Sequence, residues 1–144
     1  MPEKRSASRA ANCRGLRLGG PQAVLHFNLG NVLLARDSAV AAVDHFRQAV
    51  AAEPAYSEAW NNLGVGLSEL GDDARAEAAF RQALTINGCY VDALYNLADC
   101  LDQAGKILQA RQYWRAYLPL DTTTPWASHA RARLHTAPPP GSRR

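Results

Sequence analysis

The stretch Trp60-Asn61-Asn62-Leu63-Gly64-Val65-Gly66-Leu67 returns 34 residues later as Leu94-Tyr95-Asn96-Leu97-Ala98-Asp99-Cys100-Leu101. It is anticipated 34 residues earlier by His26-Phe27-Asn28-Leu29-Gly30-Asn31-Val32-Leu33. At this shift whole columns of residue type align: Leu29, Leu63 and Leu97; Gly30, Gly64 and Ala98; Leu33, Leu67 and Leu101. Further along, Ala42, Ala76 and Ala110 align, as do the aromatic residues Phe46, Phe80 and Trp114. Self-similarity at a fixed period of this size marks a stacked array of like units. Inside each copy, positions such as Trp60, Leu63, Gly64 and Leu67 follow the i, i+3, i+4, i+7 spacing of one helical face. A second set in each unit, Ala42, Phe46, Ala49 and Val50 and then Ala76, Phe80, Ala83 and Leu84, predicts a second amphipathic helix.

The punctuation between these stretches agrees. Gly71 and Gly105 permit the left-handed conformation that ends a helix, Asp72 is placed to cap the next one, and Pro54 stops the second helix of its unit. Small Gly and Ala at the crossing points let helix axes approach closely, and the aromatic column fills the space between pairs. After the third unit, Thr124-Pro125 reads as N-cap and first helical residue, and Trp126, Ala127, Ala130 and Leu134 form the apolar stripe of a short capping helix. Ser128, Arg131 and Arg133 are expected to face water. The expected division is a flexible basic segment over 1–22, a repeat domain over 23–136 and a disordered basic tail over 137–144. Within the domain the repeats run over about 23–56, 57–90 and 91–124, with the capping helix over about 125–135.

The middle unit, with Trp60, Leu63-Gly64, Leu67 in the Tyr place, Ala76 and Phe80, resembles the tetratricopeptide repeat (TPR) family, and the likeness covers about residues 23–124. Departures exist: His26 and Leu94 stand in the Trp60 column, Gly88 and Thr122 in the Pro54 column, and Tyr117 where Ala49 and Ala83 are small. The last unit is the least typical, as expected of an array end. The resemblance implies an all-α fold, a right-handed superhelical array of three helix-turn-helix units plus a C-terminal capping helix. It also implies a concave groove lined by the first helix of each pair.

Beside the core stripe of those first helices lies a second stripe, rotated by about 100°. It comprises Val24, Phe27, Asn28 and Asn31, then Glu58, Asn61, Asn62 and Val65, then Asp92, Tyr95, Asn96 and Asp99. These are the expected peptide-contacting residues. Asn28, Asn62 and Asn96 recur without variation, and an Asn amide can pair with both the N–H and the C=O of a ligand main chain. This column resembles the asparagine ladder along the TPR superhelix of O-linked N-acetylglucosamine transferases; bonding between neighbouring repeats is the structural alternative. The carboxylate clamp of chaperone-binding TPR domains is matched at Asn31 and Asn62. Where that family places two Lys and an Arg, this chain has Phe27, Asp92 and Asn96, which disfavours an acidic tail as ligand. Glu58, Asp92, Asp99 and Asp102 make the downstream half acidic, with Tyr90 and Tyr95 adding flat apolar surface. A protein or peptide of basic or mixed charge is therefore the expected partner.

The charge of +3 divides unevenly: residues 1–22 carry +4, 23–124 carry −5 and 125–144 carry +4. The folded body would repel phosphate, so no specific nucleic acid is expected. No apolar run is long enough for a membrane span. Cys13, Cys89 and Cys100 are odd in number and lack metal-type spacing, so they read as small apolar fillers in a reduced, cytoplasmic protein. Some transit-peptide character in the Arg- and Ser-containing start is the minor alternative. Gly64-Val65-Gly66 lacks the Lys and Ser or Thr of a phosphate loop, and His26, His45, His129 and His135 form no zinc pattern. No catalytic residue, cofactor or metal is expected. The expected function is that of an adaptor or scaffold gripping an extended peptide. The alternatives are the interaction half of a larger regulatory protein, from a likeness of Trp114 to Leu134 to the end of TPR regions in bacterial regulators, and a self-associating structural scaffold.

Overall fold

Repeated amphipathic stretches separated by helix-ending glycines can bury their apolar faces only by stacking. In a computed structural model, which describes residues 20–135, they do so as seven α-helices. These are α1 (Pro21–Ala35), α2 (Ala39–Ala52), α3 (Ser57–Glu69), α4 (Asp73–Ile86), α5 (Val91–Gln103), α6 (Ile107–Tyr117) and α7 (Pro125–His135). One 3-10 turn, Leu118–Leu120, follows α6, and there is no strand among the described residues. The array is superhelical: each helix packs on the next, and α1, α3 and α5 also touch in sequence as an inner row. The tail expected over 137–144 and residues 1–19 of the expected N-terminal segment lie outside the described residues. Pro21 and Gln22, expected in that segment, instead open α1. A proline at the first helical position lacks only an N–H that would be unpaired there.

The turns are built as their residues dictate. Gly71 and Gly105 take φ of 83° and 82°, and Asp37, which occupies the same column in the first unit, takes φ of 61°. Asp is among the few side chains that tolerate this region. Asp72 caps α4 by accepting from the Arg75 backbone N–H at 3.2 Å. Thr124 receives the Ala127 N–H on its hydroxyl and sets the start of α7.

The glycine column exists for the aromatic column. A Cβ on Gly64 would lie 2.5 Å from Phe80 Cε1, and one on Gly30 would lie 2.5 Å from Phe46 Cε1, so the rings sit against bare backbone. Phe46, Phe80 and Trp114 are all fully buried. The leucine column shows where the array ends. Leu63 and Leu97 are 5% and 0% exposed, whereas Leu29 is 39% exposed, and among the described residues no unit packs on the outer side of α1.

At the other end α7 is clamped. Tyr95 sits at the centre of an aromatic cluster, 5.1 Å from Trp114, 5.4 Å from both Tyr117 and Trp126, and 6.0 Å from His129. Arg133, expected to face water, turns inward and grips Asp102 with two charged hydrogen bonds of 2.6 and 2.5 Å. Trp114 Nε1 donates to the same carboxylate at 3.2 Å. Bidentate geometry and partial burial outweigh solvation here.

Candidate peptide-binding face

Because α1, α3 and α5 lie side by side, their matching positions form rows across the inner surface. An amide chain runs through all three. Asn96 Nδ2 donates to Asn61 Oδ1 at 3.0 Å, Asn61 Nδ2 donates to Asn62 Oδ1 at 3.2 Å, and Asn62 Nδ2 donates to Asn31 Oδ1 at 2.6 Å. Of the two roles open to the asparagines, bonding between repeats is therefore realised. The members differ from the recurring column: Asn62 and Asn96 take part, Asn31 and Asn61 join them, and Asn28 is exposed to solvent. The period of 34 identifies equivalent backbone places; it does not specify which amide each side chain turns toward.

At the N-terminal ends of α3 and α5 two further residues recur at the same period. Tyr56 and Tyr90 are the cap residues, and Glu58 and Asp92 lie in the first turns behind them. A carboxylate in a first turn is favoured by the helix dipole, by about 0.3–1 kcal/mol. Burial outweighs that benefit at Glu58, whose carboxyl is raised above its usual range by desolvation and then by the negative charge of Asp92. Desolvation, reinforced by Glu58, pushes the Tyr56 phenol up to about 12. Tyr90 is pushed well up by burial, then by Asp92, Glu58 and Tyr56. The group is an electronegative, apolar-walled corner whose Coulomb balance improves when a cation approaches. Tyr56 was absent from the expected contact set, although Tyr56-x-Glu58 and Tyr90-x-Asp92 at one period were there to be read.

The rest of the expected stripe is distributed unevenly. Val24, Phe27 and Asn31 are half-buried, and Phe27 packs 4.9 Å from the Tyr56 ring. Asn61, Asn62 and Val65 are buried, and the acidic members Glu58, Asp92 and Asp99 are 6%, 0% and 2% exposed. Two readings change. Tyr95 offers no flat outer surface, because it forms the centre of the C-terminal aromatic cluster, and the charge of Asp102 is matched by Arg133. Cys89 is not a passive filler either: it is half-buried and engaged in a disulfide, while Cys100 is a buried free thiol. His26, expected as a packed ring in the Trp60 column, stacks on His45 at 5.3 Å with the two Nδ1 atoms 3.0 Å apart. Among the described residues no group of three or more His, Cys, Asp or Glu is placed to hold a metal ion, and no helix is long and apolar enough to cross a membrane.

Two family models, both described as tetratricopeptide repeat, match residues 57–88 and 79–112. No curated protein sequence matches the chain significantly. Among solved structures, the first TPR of Spaghetti (RPAP3) bound to the HSP90 peptide SRMEEVD superposes with a TM-score of 0.75 at 18% identity, over 81% of this chain and 95% of that one. The second TPR domain of human RPAP3 in complex with the HSP70 peptide SGPTIEEVD gives 0.74 at 20% identity, over 81% and 97%. The TPR2B domain of yeast Sti1 in its pHsp70 complex gives 0.73 at 16%, over 78% and 93%. At these identities the likeness is one of fold. Repeat period, paired helices with a glycine–aromatic interlock, and family matches over residues 57–112 together support a tetratricopeptide-repeat family for this array.

Proposed function

We propose that the protein is a non-catalytic interaction module, an adaptor or scaffold that holds an extended protein segment of basic or mixed charge along its inner helices. The observation that carries this reading is the corner formed by Tyr56, Glu58, Tyr90 and Asp92, where two buried carboxylates lie between two phenols and the Glu58 carboxyl is raised by burial and then by Asp92. A Lys or Arg side chain placed between the carboxylates offsets that repulsion, and the phenol rings pack on its methylene stem. The structural neighbours in complex with peptides ending in EEVD make peptide capture a natural use of the fold. The acidic character of those peptides does not transfer, because Asp92, Phe27 and Asn96 stand where a clamp for a carboxylate needs cations.

The test is fluorescence anisotropy with the reduced full-length chain and two labelled extended peptides, one rich in Lys and Arg, the other acidic with a free C-terminus. The basic peptide should bind, weaken as salt rises, and lose about tenfold in affinity, or 1.4 kcal/mol, with Glu58→Gln plus Asp92→Asn. Equal or better binding of the acidic peptide refutes the reading, as does basic binding that ignores the double substitution.

The open side of α1 favours a second reading, self-association. Leu25, Leu29 and Val32 are exposed there, although the Leu29 column is covered in both later units. Light scattering over a dilution series with Leu29→Glu beside the wild type decides it: a mass that falls on dilution and is monomeric in the variant supports stacking, and a constant monomer refutes it.

A further inference from the structure

The period of 34 allows the outer helices to be compared with themselves. Between α4 and α6, Arg81 is fully engaged. Its Nε donates to Glu77 Oε2 at 3.0 Å, its Nη1 to the Tyr113 hydroxyl at 3.0 Å and its Nη2 to Gln109 Oε1 at 3.2 Å. The Arg81 guanidinium carbon also lies 5.8 Å from the centre of the Tyr113 ring. One unit earlier, between α2 and α4, the matching cation is Arg47, and Val43, Arg75 and Ala79 stand where Glu77, Gln109 and Tyr113 do. None of the three can take over those roles. Val43 and Ala79 are buried and aliphatic, and Arg75 is a second cation, drawn to Asp72 at 3.5 Å. Arg47 is exposed and has no hydrogen-bond or ionic partner among the described residues.

A methyl in place of a phenol leaves room. A cavity of about 360 Å³ lies beside Ala79, lined also by Trp60, Leu63 and Leu67 of α3 and by Arg47 and Arg75. That volume falls in the range of small-ligand pockets, about 300–1,000 Å³. No residue of the amide chain or of the acidic corner contributes to it. What would complete it is defined by what Arg81 holds: an aromatic ring with an oxygen at its far end, and a carboxylate close by. A tyrosine side chain next to Asp or Glu offers both within one protein segment. Trp60 gives the ring an aromatic wall, and a guanidinium against a phenol is favourable in its own right. Two cations at the cavity select for an acidic segment and against a basic one.

We propose that this cavity is a second docking site, which takes a tyrosine side chain of a partner protein and sets a neighbouring carboxylate of the same segment on Arg47. The site is independent of the inner face, so an adaptor of this build holds a basic segment along α1, α3 and α5 and an acidic, tyrosine-bearing one between α2 and α4 at the same time.

The experiment is fluorescence anisotropy of the full-length chain with a labelled peptide, blocked at both ends, that carries one Tyr between two Glu in a Gly- and Ser-rich sequence. Binding is expected, weaker by about tenfold or more when the peptide's Tyr becomes Ala, and by about tenfold with Arg47→Gln. Arg47 is a surface position, so that variant keeps its fold. Ala79→Tyr makes the same point by the opposite route. It supplies from within the ring that Tyr113 supplies one unit on, and should abolish binding with Tm unchanged or raised. Nuclear magnetic resonance then locates the peptide: the Trp60 indole N–H and the Gln82 side-chain amide, both at the cavity, should shift while the amides of Asn31, Asn61, Asn62 and Asn96 stay fixed. Absence of binding at millimolar peptide, indifference to the peptide's ring or to Arg47→Gln, or shifts confined to the inner amides overturns the inference. An Ala79→Tyr chain that still binds, or that the added ring destabilises, overturns it as well. If the tyrosine peptide binds in this way and the basic peptide does not bind, this inference stands and the proposed function falls. If the basic peptide alone binds, unaffected by Arg47→Gln, the proposed function stands and this inference falls.

Discussion

Replacing Gly64 with alanine sets two well-measured effects against each other. Ala is favoured over Gly inside a helix by about 1 kcal/mol, so on local grounds α3 gains. In the array the new methyl would meet Phe80 Cε1 at 2.5 Å, Cδ1 at 2.7 Å and Cζ at 2.9 Å, distances at which something must move. Phe80 has no free side to move into, since the ring is fully buried and α3 is held between α1 and α5. Overpacking of this kind costs about 1–3 kcal/mol, and three contacts under 3.0 Å against a ring with no room to move place Gly64 at the upper end, so after the local gain of about 1 kcal/mol a net loss of about 1–2 kcal/mol is expected. For a domain of this size that lowers Tm by roughly 5 °C. The same substitution at Gly30 meets Phe46 just as closely, but α1 has an open outer side and can shift, so Gly30→Ala should be nearly neutral. Phe80→Leu removes the Cε1 and Cζ atoms responsible for two of the three close contacts. In a double-mutant cycle, Gly64→Ala with Phe80→Leu should therefore cost about 1 kcal/mol less than the separate changes added together. Urea denaturation of the four proteins provides the numbers. A Gly64→Ala chain more stable than wild type, or strict additivity with Phe80→Leu, would refute the interlock between the glycine and aromatic columns.

Further outcomes follow from the inner face and the cap. Asn62→Ala breaks the amide chain in both directions and should cost about 1–3 kcal/mol in denaturant unfolding, while Asn28→Ala, at an exposed position, should stay within about 0.5 kcal/mol. Asp102→Asn weakens the grip on Arg133 and Trp114, and should cost about 1–2 kcal/mol with hydrogen-exchange protection lost first in α7. Glu58 has a folded pKa above the ordinary 4.5, so the stability tied to its protonated form is complete below that value and is lost as pH rises through the raised one. Thermal melts of Glu58→Gln should accordingly exceed wild type at pH 7 and converge with it below pH 4.5; a constant difference across that window would contradict the assignment.

The helices, their pairing and the turn chemistry were legible because each is a periodic or local property. The 34-residue columns give the stacking, Gly71 and Gly105 give the helix ends, and Thr124-Pro125 gives the start of α7. What was hidden depends on contacts between residues with no shared period. Arg133 reads as a solvated position on its own helix, and only the folded array brings it to Asp102, 31 residues away. Tyr95 occupies an expected ligand-facing position, yet Trp126 and His129 of the cap enclose it. The amide chain was half legible: the recurring column identified Asn62 and Asn96, but Asn61 and Asn62 bond to each other as neighbours, a rotamer choice no repeat pattern encodes. The burial of Glu58 and Asp92 was equally invisible, because an acidic position in a first helical turn is ordinarily a solvated one.

The proposed function makes the inner helices, with their amide chain and acidic corner, the surface that meets a partner, and nuclear magnetic resonance of the reduced, isotope-labelled full chain interrogates it directly. On titration with an extended Lys- and Arg-rich peptide, the side-chain amide signals of Asn31, Asn61, Asn62 and Asn96 should shift together, while those of exposed Gln82 and Gln112 on the second helices stay fixed. Shifts confined to the second helices, or a response to an acidic peptide alone, would contradict the account.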